Sequence, residues 1–300
     1  MTWLFYALLS PIIYTVVNFI DKYVVEHRVK DYRAMPIYGS ITGAVVGTLF
    51  WMITGYPALP LQDCLILFLS GSLTIWGAAL YFNAMSRSET SVIILLLQSL
   101  PIFTLVFSFV LLGERLSLPQ MIGFVFLMSA SLLASFRKSR RRTKLDISFW
   151  LIIATNIFWA AAAVLVKFSV TNLSFSQILS YESWGIGIGG VILLALLPQT
   201  RSAFIQSAQK SSKGTLLIFF ANELIFVGAK SITYYAYSIG PVSLVSVVNG
   251  IQPFIGLLYG WFLTALFPKQ FTEDISKKGL AHKGSLGILA LLGLIVIFLS

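Results

Sequence analysis

Met85-Ser86-Arg87-Ser88-Glu89-Thr90-Ser91 separates two long apolar runs, Leu65–Ala84 and Val92–Leu112. The second run holds a proline, in Gln98-Ser99-Leu100-Pro101-Ile102-Phe103. Adding 152 to these positions carries Ala84, Ser86, Ser91 and Pro101 onto Ala236, Ser238, Ser243 and Pro253. Both prolines stand about ten residues into a hydrophobic run. Two such runs in equivalent places point to a molecule built from two copies of one unit.

The composition says where that molecule resides. The chain has 300 residues, 57% hydrophobic and 11% charged, with a mean hydropathy of +0.87. A soluble domain carries about a quarter of charged residues. So much apolar surface exceeds what one core can hide, and the excess must face lipid. The net charge of +10 does not point to nucleic acid, because the basic residues fill the gaps between apolar runs instead of forming a stripe. A single cysteine, Cys64, leaves no intrachain disulfide and no cysteine-based metal cage. The run that starts at Thr2 lacks a basic leader and a small-residue cleavage site, and reads as a retained span.

A membrane-spanning helix needs roughly 20 apolar residues. The sequence predicts ten: Trp3–Ile20, Pro36–Ile53, Leu65–Ala84, Val92–Leu112, Pro119–Phe136, Phe149–Val166, Ile178–Leu197, Thr215–Tyr237, Val242–Leu263 and Ser285–Ser300. All must be helices, since open strand edges would leave unpaired backbone groups in hydrocarbon. The basic run Arg137–Lys144 divides the chain into residues 1–138 and 148–300, with 139–147 as linker. A second polar excursion, Phe267–Lys283, precedes the last span.

The two parts match span by span. Gly43 and Gly47, in line with Gly39, fall on Gly185 and Gly189 at a shift of 142; Tyr14 and Lys22 fall on Trp159 and Lys167 at 145; Gly123 falls on Gly287 at 164. Glycines spaced by four let helix backbones approach closely, where dispersion replaces the hydrophobic effect. Five spans is an odd number, so consecutive copies must be inverted relative to each other. The predicted fold is an all-α integral membrane protein of ten helices in two inverted five-helix repeats, with a site near the midplane between them.

Orientation follows from charge. The odd-numbered loops hold 18 of the basic residues, and the even loops hold only Arg115 and Lys167. By the positive-inside rule the odd loops are cytoplasmic and both termini lie outside, in a plasma or inner membrane.

Polar groups within spans are the candidate site residues. An ionisable side chain at mid-bilayer costs roughly 2.5–3.5 kcal/mol on insertion scales and normally faces protein or a wet cavity. Glu223 and Lys230 lie seven residues apart and share a helix face. They read either as cavity groups contacting substrate or a proton, or as structural ion pairs with neighbouring helices. Glu182, near the start of its span, reads as interfacial. Tyr14, Asn18, Asp21 and Lys22 form a polar stripe on the first helix, with Asn18 as cavity lining and Lys22 at an inner gate; Asp21 and Lys22 also fit a wet helix end. Gln98, Asn249 and Gln252 flank the prolines Pro101 and Pro253, where freed carbonyls and amides suit ligand coordination or interhelical bonding. Trp76 and Trp159 are too deep for a headgroup belt and suit stacking on a substrate, with Tyr81 and Tyr234 as further wall candidates.

Enzyme signatures are lacking. His27 and His282 both lie in polar loops, and no metal-binding or nucleophile arrangement is visible. Gly185-Ile186-Gly187-Ile188-Gly189-Gly190 follows no strand and reads as helix packing, not a dinucleotide loop. No ATP-binding loop is present, which leaves a gradient or the substrate itself as the source of energy.

The five-helix repeats, the proline in the fourth and ninth spans, and Leu112-Gly113-Glu114-Arg115-Leu116 closing the fourth span resemble the EamA-type transporters of the drug/metabolite transporter superfamily. That resemblance implies movement of small metabolites such as amino acids through a cavity between the repeats, and a packing or gating role for Glu114. Read from the residues alone, Glu114 is an exposed acid after a glycine-stopped helix end. Two features depart from the family pattern. The ninth span lacks the Gly-Glu motif and has Leu263-Thr264-Ala265-Leu266-Phe267-Pro268 instead, and the charge bias puts the termini outside where family members are drawn with them inside.

The expected function is a secondary transporter or exporter of small polar or amphipathic solutes, embedded in a lipid bilayer, with proton coupling through Glu223, no cofactor, no metal and no nucleic-acid partner. One chain suffices in principle, and a dimer stays open. The rival readings are an intramembrane enzyme acting on lipid head groups, for which Asp21, Glu26 and His27 are the only candidates, and a flippase for lipid-linked substrates.

Overall fold

The computed structural model describes residues 2–29, 31–55, 58–87, 93, 96–135, 147–170, 173–252, 254–256, 258–259, 262, 285, 288–289, 291–297 and 299. Ser91, residues 139–146 of the linker, Pro253, Gly287 and the side chain of Lys22 lie outside the described residues. Among the described residues the helices in chain order are α1 (Thr2–His27), α2 (Met35–Ile53), α3 (Leu61–Met85), α4 (Leu100–Leu112), α5 (Leu118–Ser135), α6 (Ile147–Ser169), α7 (Phe175–Leu196), α8 (Pro198–Lys210), α9 (Lys213–Ile239) and α10 (Val242–Asn249). Those long and apolar enough to cross a bilayer are α1, α2, α3, α6, α7 and α9, and α4, α5 and α10 are shorter apolar helices. Their outer faces carry large bare hydrophobics such as Leu49, Val106, Phe109, Val125, Trp150, Val191, Leu217 and Leu224. Apolar surface on this scale belongs against lipid, and the chain is a multi-pass membrane protein.

Local sequence sets the helix ends. Ser174 opens α7 with a reciprocal capping box: its hydroxyl accepts from Gln177 N–H, and the Gln177 side chain accepts from the Ser174 backbone. Ser212 caps α9 by accepting from Thr215 N–H. Gly113 ends α4 in the left-handed region at φ 67°, which an L side chain rarely adopts. α8 is a difference from the sequence reading, which placed this polar stretch in a loop. Pro198 sits in its first turn, where a missing N–H costs nothing, and the helix packs on the 3-10 turn Tyr32–Ala34.

The fourth span is not one continuous helix. It turns at Gln98–Ser99 just before α4, with Ser99 N–H donating to Leu96 O at 3.1 Å and Ile102 N–H to Ser99 O at 3.1 Å. Proline lacks the donor for the i−4 carbonyl and its ring crowds that carbonyl, so Pro101 enforces the break. The ninth span turns at Gly250–Ile251 after α10, and Phe254 N–H donates to Ile251 O at 2.9 Å. That bond is the Ile102–Ser99 bond displaced by 152 residues.

Packing runs mostly between the two parts of the chain. α7 lies against both α2 and α3, α3 also packs on α6, α1 packs on α9, α4 on α6, α1 on α10, and α4 on α10. Glycines set the spacing. A Cβ on Gly71 would strike backbone atoms of Glu182, Ile186 and Gly185, and one on Gly185 would sit 2.6 Å from Phe68 O. Gly189 and Gly43 are equally tight, against Ser72 and Ile186. The Gly185–Gly190 run thus packs helices, as its position inside an apolar span requires. At the far edge Gly123 meets Gly293 O, which ties α5 to the last described residues.

The buried apolar side chains form two clusters. One gathers Trp3, Leu67, Phe124, Val164, Tyr234, Tyr237 and Val242–Val248; the other gathers Val24, Met35, Tyr38, Tyr81, Phe82, Ile152 and Phe219. Between them the interior is left open.

Because the α3–α7 approach is backbone on backbone, Gly71→Val is expected to destabilise the protein by about 1–3 kcal/mol, the usual cost of overpacking. Gly228→Ala, at a glycine with nothing within 4 Å of its missing Cβ, is expected to leave the midpoint unchanged. Thermal unfolding in detergent measures both.

Candidate functional site

A cavity of about 250 Å³ lies between the two clusters and is lined from both parts of the chain. α1 contributes Tyr14, Val17, Asn18 and Asp21, one face at helical spacing. α9 faces it with Glu223, Phe226, Val227, Lys230, Thr233, Tyr234 and Tyr237, again one stripe. Tyr81 of α3 and Trp159 of α6 form an aromatic corner with ring centroids 5.6 Å apart. Leu97 and Leu100 at the first helix break, and Asn249 and Gln252 at the second, complete the wall.

Asn18, Tyr81, Trp159, Glu223, Lys230, Tyr234, Asn249 and Gln252 therefore come together around one space. Trp76 and Gln98 do not line it. The Trp76 indole N–H donates to Gly189 O at 3.1 Å on the α3–α7 seam, and Gln98 is 4% exposed within the packing. Trp159 also uses its indole N–H, donating to Thr74 O at 3.0 Å, which fixes the ring orientation while the ring still faces the cavity.

Lys230 is neutralised by a partner the sequence reading set at the interface. Glu182 is fully buried, and its Oε2 accepts from Lys230 Nζ at 2.5 Å. Its other oxygen accepts from Thr74 Oγ1 at 3.4 Å, and the ammonium stands 5.5 Å from the centre of the Tyr234 ring. The signal was present in the sequence: Glu182, Gly185 and Gly189 lie at i, i+3 and i+7, so the acid shares the buried seam face with the glycines.

Asp21 is a second correction, of one of its two readings: it is not at a wet helix end but, as the stripe reading had it, lines the cavity, 7% exposed, with Oδ1 accepting from Asn222 Nδ2 at 2.8 Å. Asn222 is buried and had no part in the sequence reading.

The helix breaks are held by amides and hydroxyls from the facing helices. Asn156 of α6 donates to Leu96 O at 2.9 Å and Ser99 Oγ at 2.8 Å, bracing the turn at the first break. On the other side Ser10 of α1 donates to Asn249 Oδ1 at 2.9 Å, and Thr104 and Ser246 share a hydrogen bond of 3.1 Å that joins α4 to α10.

Glu114 is the third correction. It is half-buried rather than exposed, and its carboxylate accepts from Val242 N–H at 3.1 Å, Ser243 N–H at 3.4 Å and Ser243 Oγ at 3.1 Å, at the start of α10. An anion here meets the free N–H groups and positive end of the helix dipole. Lys167 does the converse, donating to Tyr237 O at 2.5 Å and Gly240 O at 2.8 Å at the end of α9. The α9–α10 corner is thus held by an anion on its N–H groups and a cation on its carbonyls. Lys22, the counterpart of Lys167 in the first part, has its side chain outside the described residues.

Among the described residues no group of three or more His, Cys, Asp or Glu is placed to hold a metal ion.

Comparison with known proteins adds three findings. Residues 1–136 match the model of the EamA-like transporter family. A curated protein, Uncharacterized protein MJ1333.1 of Methanocaldococcus jannaschii, is 29% identical over 134 residues, which cover 43% of this chain and 93% of that protein. A solved crystal structure superposes with a TM-score of 0.69 at 15% identity, covering 99% of this chain and 97% of that one, and so shares the fold.

Breaking the buried pair from one side strands a charge. Lys230→Met is expected to cost about 3–5 kcal/mol of stability, and the double variant Lys230→Met/Glu182→Leu to recover most of it, since an apolar replacement of a buried pair is often neutral. A double-mutant cycle by thermal or denaturant unfolding measures the coupling.

Proposed function

We propose, from the match of residues 1–136 to the EamA-like transporter family model, that the protein is a secondary transporter of small solutes, amino-acid-like or otherwise polar or amphipathic. It works by alternating access as one inverted five-helix repeat rocks against the other. One observation carries this reading: the cavity is lined by both parts of the chain, including residues beside the turns at Gln98–Ser99 and Gly250–Ile251.

The contact pattern supports the inverted pair. Numbering spans within each repeat, α3–α6 joins the third of one to the first of the other, and α9–α1 is the same contact with the repeats exchanged. α4–α6 and α10–α1 form a second exchanged pair, while α2–α7 and α4–α10 map onto themselves. The archaeal relative adds weight, because 134 residues make up 93% of it, so its length is that of one repeat. The loop charges favour odd loops in the cytoplasm. In that frame the Glu114 and Lys167 contacts hold the external end of the cavity closed. Releasing them is the step that opens it.

Glu223 is the proton-coupling group in this scheme. It faces the cavity from a membrane span, where carrying a proton or a bound cation removes the cost of an unpaired charge. Reconstituted into proteoliposomes, the protein is expected to accumulate members of a panel of radiolabelled amino acids and nucleosides when a pH gradient is imposed. Glu223→Gln should reduce gradient-driven accumulation at least tenfold while leaving counterflow exchange measurable. Flux of nothing in the panel, or accumulation indifferent to both the gradient and the substitution, contradicts the coupling scheme.

A further inference from the structure

The charges around the cavity do not balance. Lys230 is the cation among its described lining residues, and that charge is already matched at 2.5 Å by Glu182 behind it. Two carboxylates remain. Among the described residues Asp21 has one oxygen bonded to the Asn222 amide and no ion pair, and Glu223 has neither hydrogen bond nor ion pair, with Lys230 within electrostatic range of it. The two lie within electrostatic range of each other, and Asp21 also of the Tyr81 ring. The neighbouring Asn222 is 1% exposed, and its Oδ1 is buried without a partner, one more acceptor lacking a donor. Unpaired anions within membrane spans are costly, and a bound cation removes that cost.

The rest of the wall is apolar and aromatic. Tyr81 and Trp159 stand in a tilted pair, and Phe226 packs beside Tyr14 at 5.7 Å between ring centres. Aromatic faces attract cations and stack on flat ligand bodies. A substrate carboxylate, in contrast, meets no uncommitted cation here, because freeing Lys230 would strand Glu182 fully buried.

We propose that the preferred substrate is an organic ammonium ion with a ring-bearing apolar body and no carboxylate, its amine held by Asp21 and Glu223 and its ring against Tyr81 and Trp159. This deepens the transporter reading and rests on it for the cavity being a substrate site. It ranks aromatic amines above the corresponding zwitterionic amino acids, and both above anions.

The test is direct binding to the purified protein, by isothermal titration, of four probes sharing one ring: phenethylamine, phenylalanine, 2-phenylethanol and 3-phenylpropionate. Phenethylamine is expected to bind at least tenfold more tightly than each of the others. Asp21→Asn and Glu223→Gln should each weaken it tenfold or more and leave 2-phenylethanol unchanged, while Asp63→Asn, outside the cavity, changes nothing. Should either variant fail to fold, the ranking of the four probes on the native protein still decides. Equal affinity for phenethylamine and 2-phenylethanol, or tighter binding of phenylalanine or 3-phenylpropionate, overturns the assignment. Flux in proteoliposomes separates the two readings: transport of amino acids without amine preference refutes the cation site alone, and amine binding without flux of any solute refutes the transporter alone.

Discussion

A polar group inside hydrocarbon must find its partner within the protein, and most of this structure answers that constraint. The fourth span turns just before Pro101 and the ninth at Gly250–Ile251. Asn156 reaches from α6 to brace one turn, and Ser10 from α1 braces the other. Glu182 and Lys230 neutralise each other with almost no exposure. Glu114 and Lys167 take up the backbone groups left open at the α9–α10 corner. The Asn156, Ser10 and Glu114 bonds cross from one part of the chain to the other, while the Glu182–Lys230 and Lys167 bonds lie within the second part. The requirement that polar atoms be paired thus also helps to fasten the two parts together around the cavity between them.

The fastening is not uniform, and that matters for movement. Along α2, α3 and α7 glycines bring backbones into contact, and such surfaces slide or separate only at large cost. Around α4 and α10 the contacts are single hydroxyl bonds between broken helices, of the kind that Thr104 and Ser246 share. In the proposed alternating-access scheme the glycine seam serves as the hinge and the junction of interrupted helices as its moving edge. On this account Glu114 and Lys167 act at the moving edge, where releasing a few charge-assisted bonds frees the α9–α10 corner.

Much of this architecture is visible in the sequence because lipid leaves few options. Hydropathy located the apolar helices, and the displacement by 152 residues reappears as the matched turn bonds at Ile102 and Phe254. The stripe Tyr14, Asn18, Asp21 pointed inward as a helix face must. What the sequence did not reveal are partners across long separations. Glu182 was placed near an interface by its distance from the start of its span, although its register with Gly185 and Gly189 put it on the seam. For Asp21 the sequence left a cavity floor and a wet helix end both open; α1 runs past it to His27, and the residue lies on the cavity face. Trp76 and Trp159 look alike by depth, and only the packing of α3 on α7 sends the first to Gly189 and the second to the cavity. Glu114 required knowing that α10 begins beside the end of α4.

The central claim is that the cavity between the two parts opens in turn to each side of the membrane. It is tested most directly in a Cys64→Ser background, which removes the chain's one cysteine. Single cysteines at Asn18 and Asn249, which line the cavity from the two parts, and at Leu224, which is 58% exposed on the outer surface of α9, are challenged with a membrane-impermeant maleimide from each face of oriented vesicles. Both cavity positions should label from either face while Leu224→Cys labels from neither. If Asn18→Cys and Asn249→Cys react from one face alone under every gradient applied, the cavity does not alternate and the account is wrong.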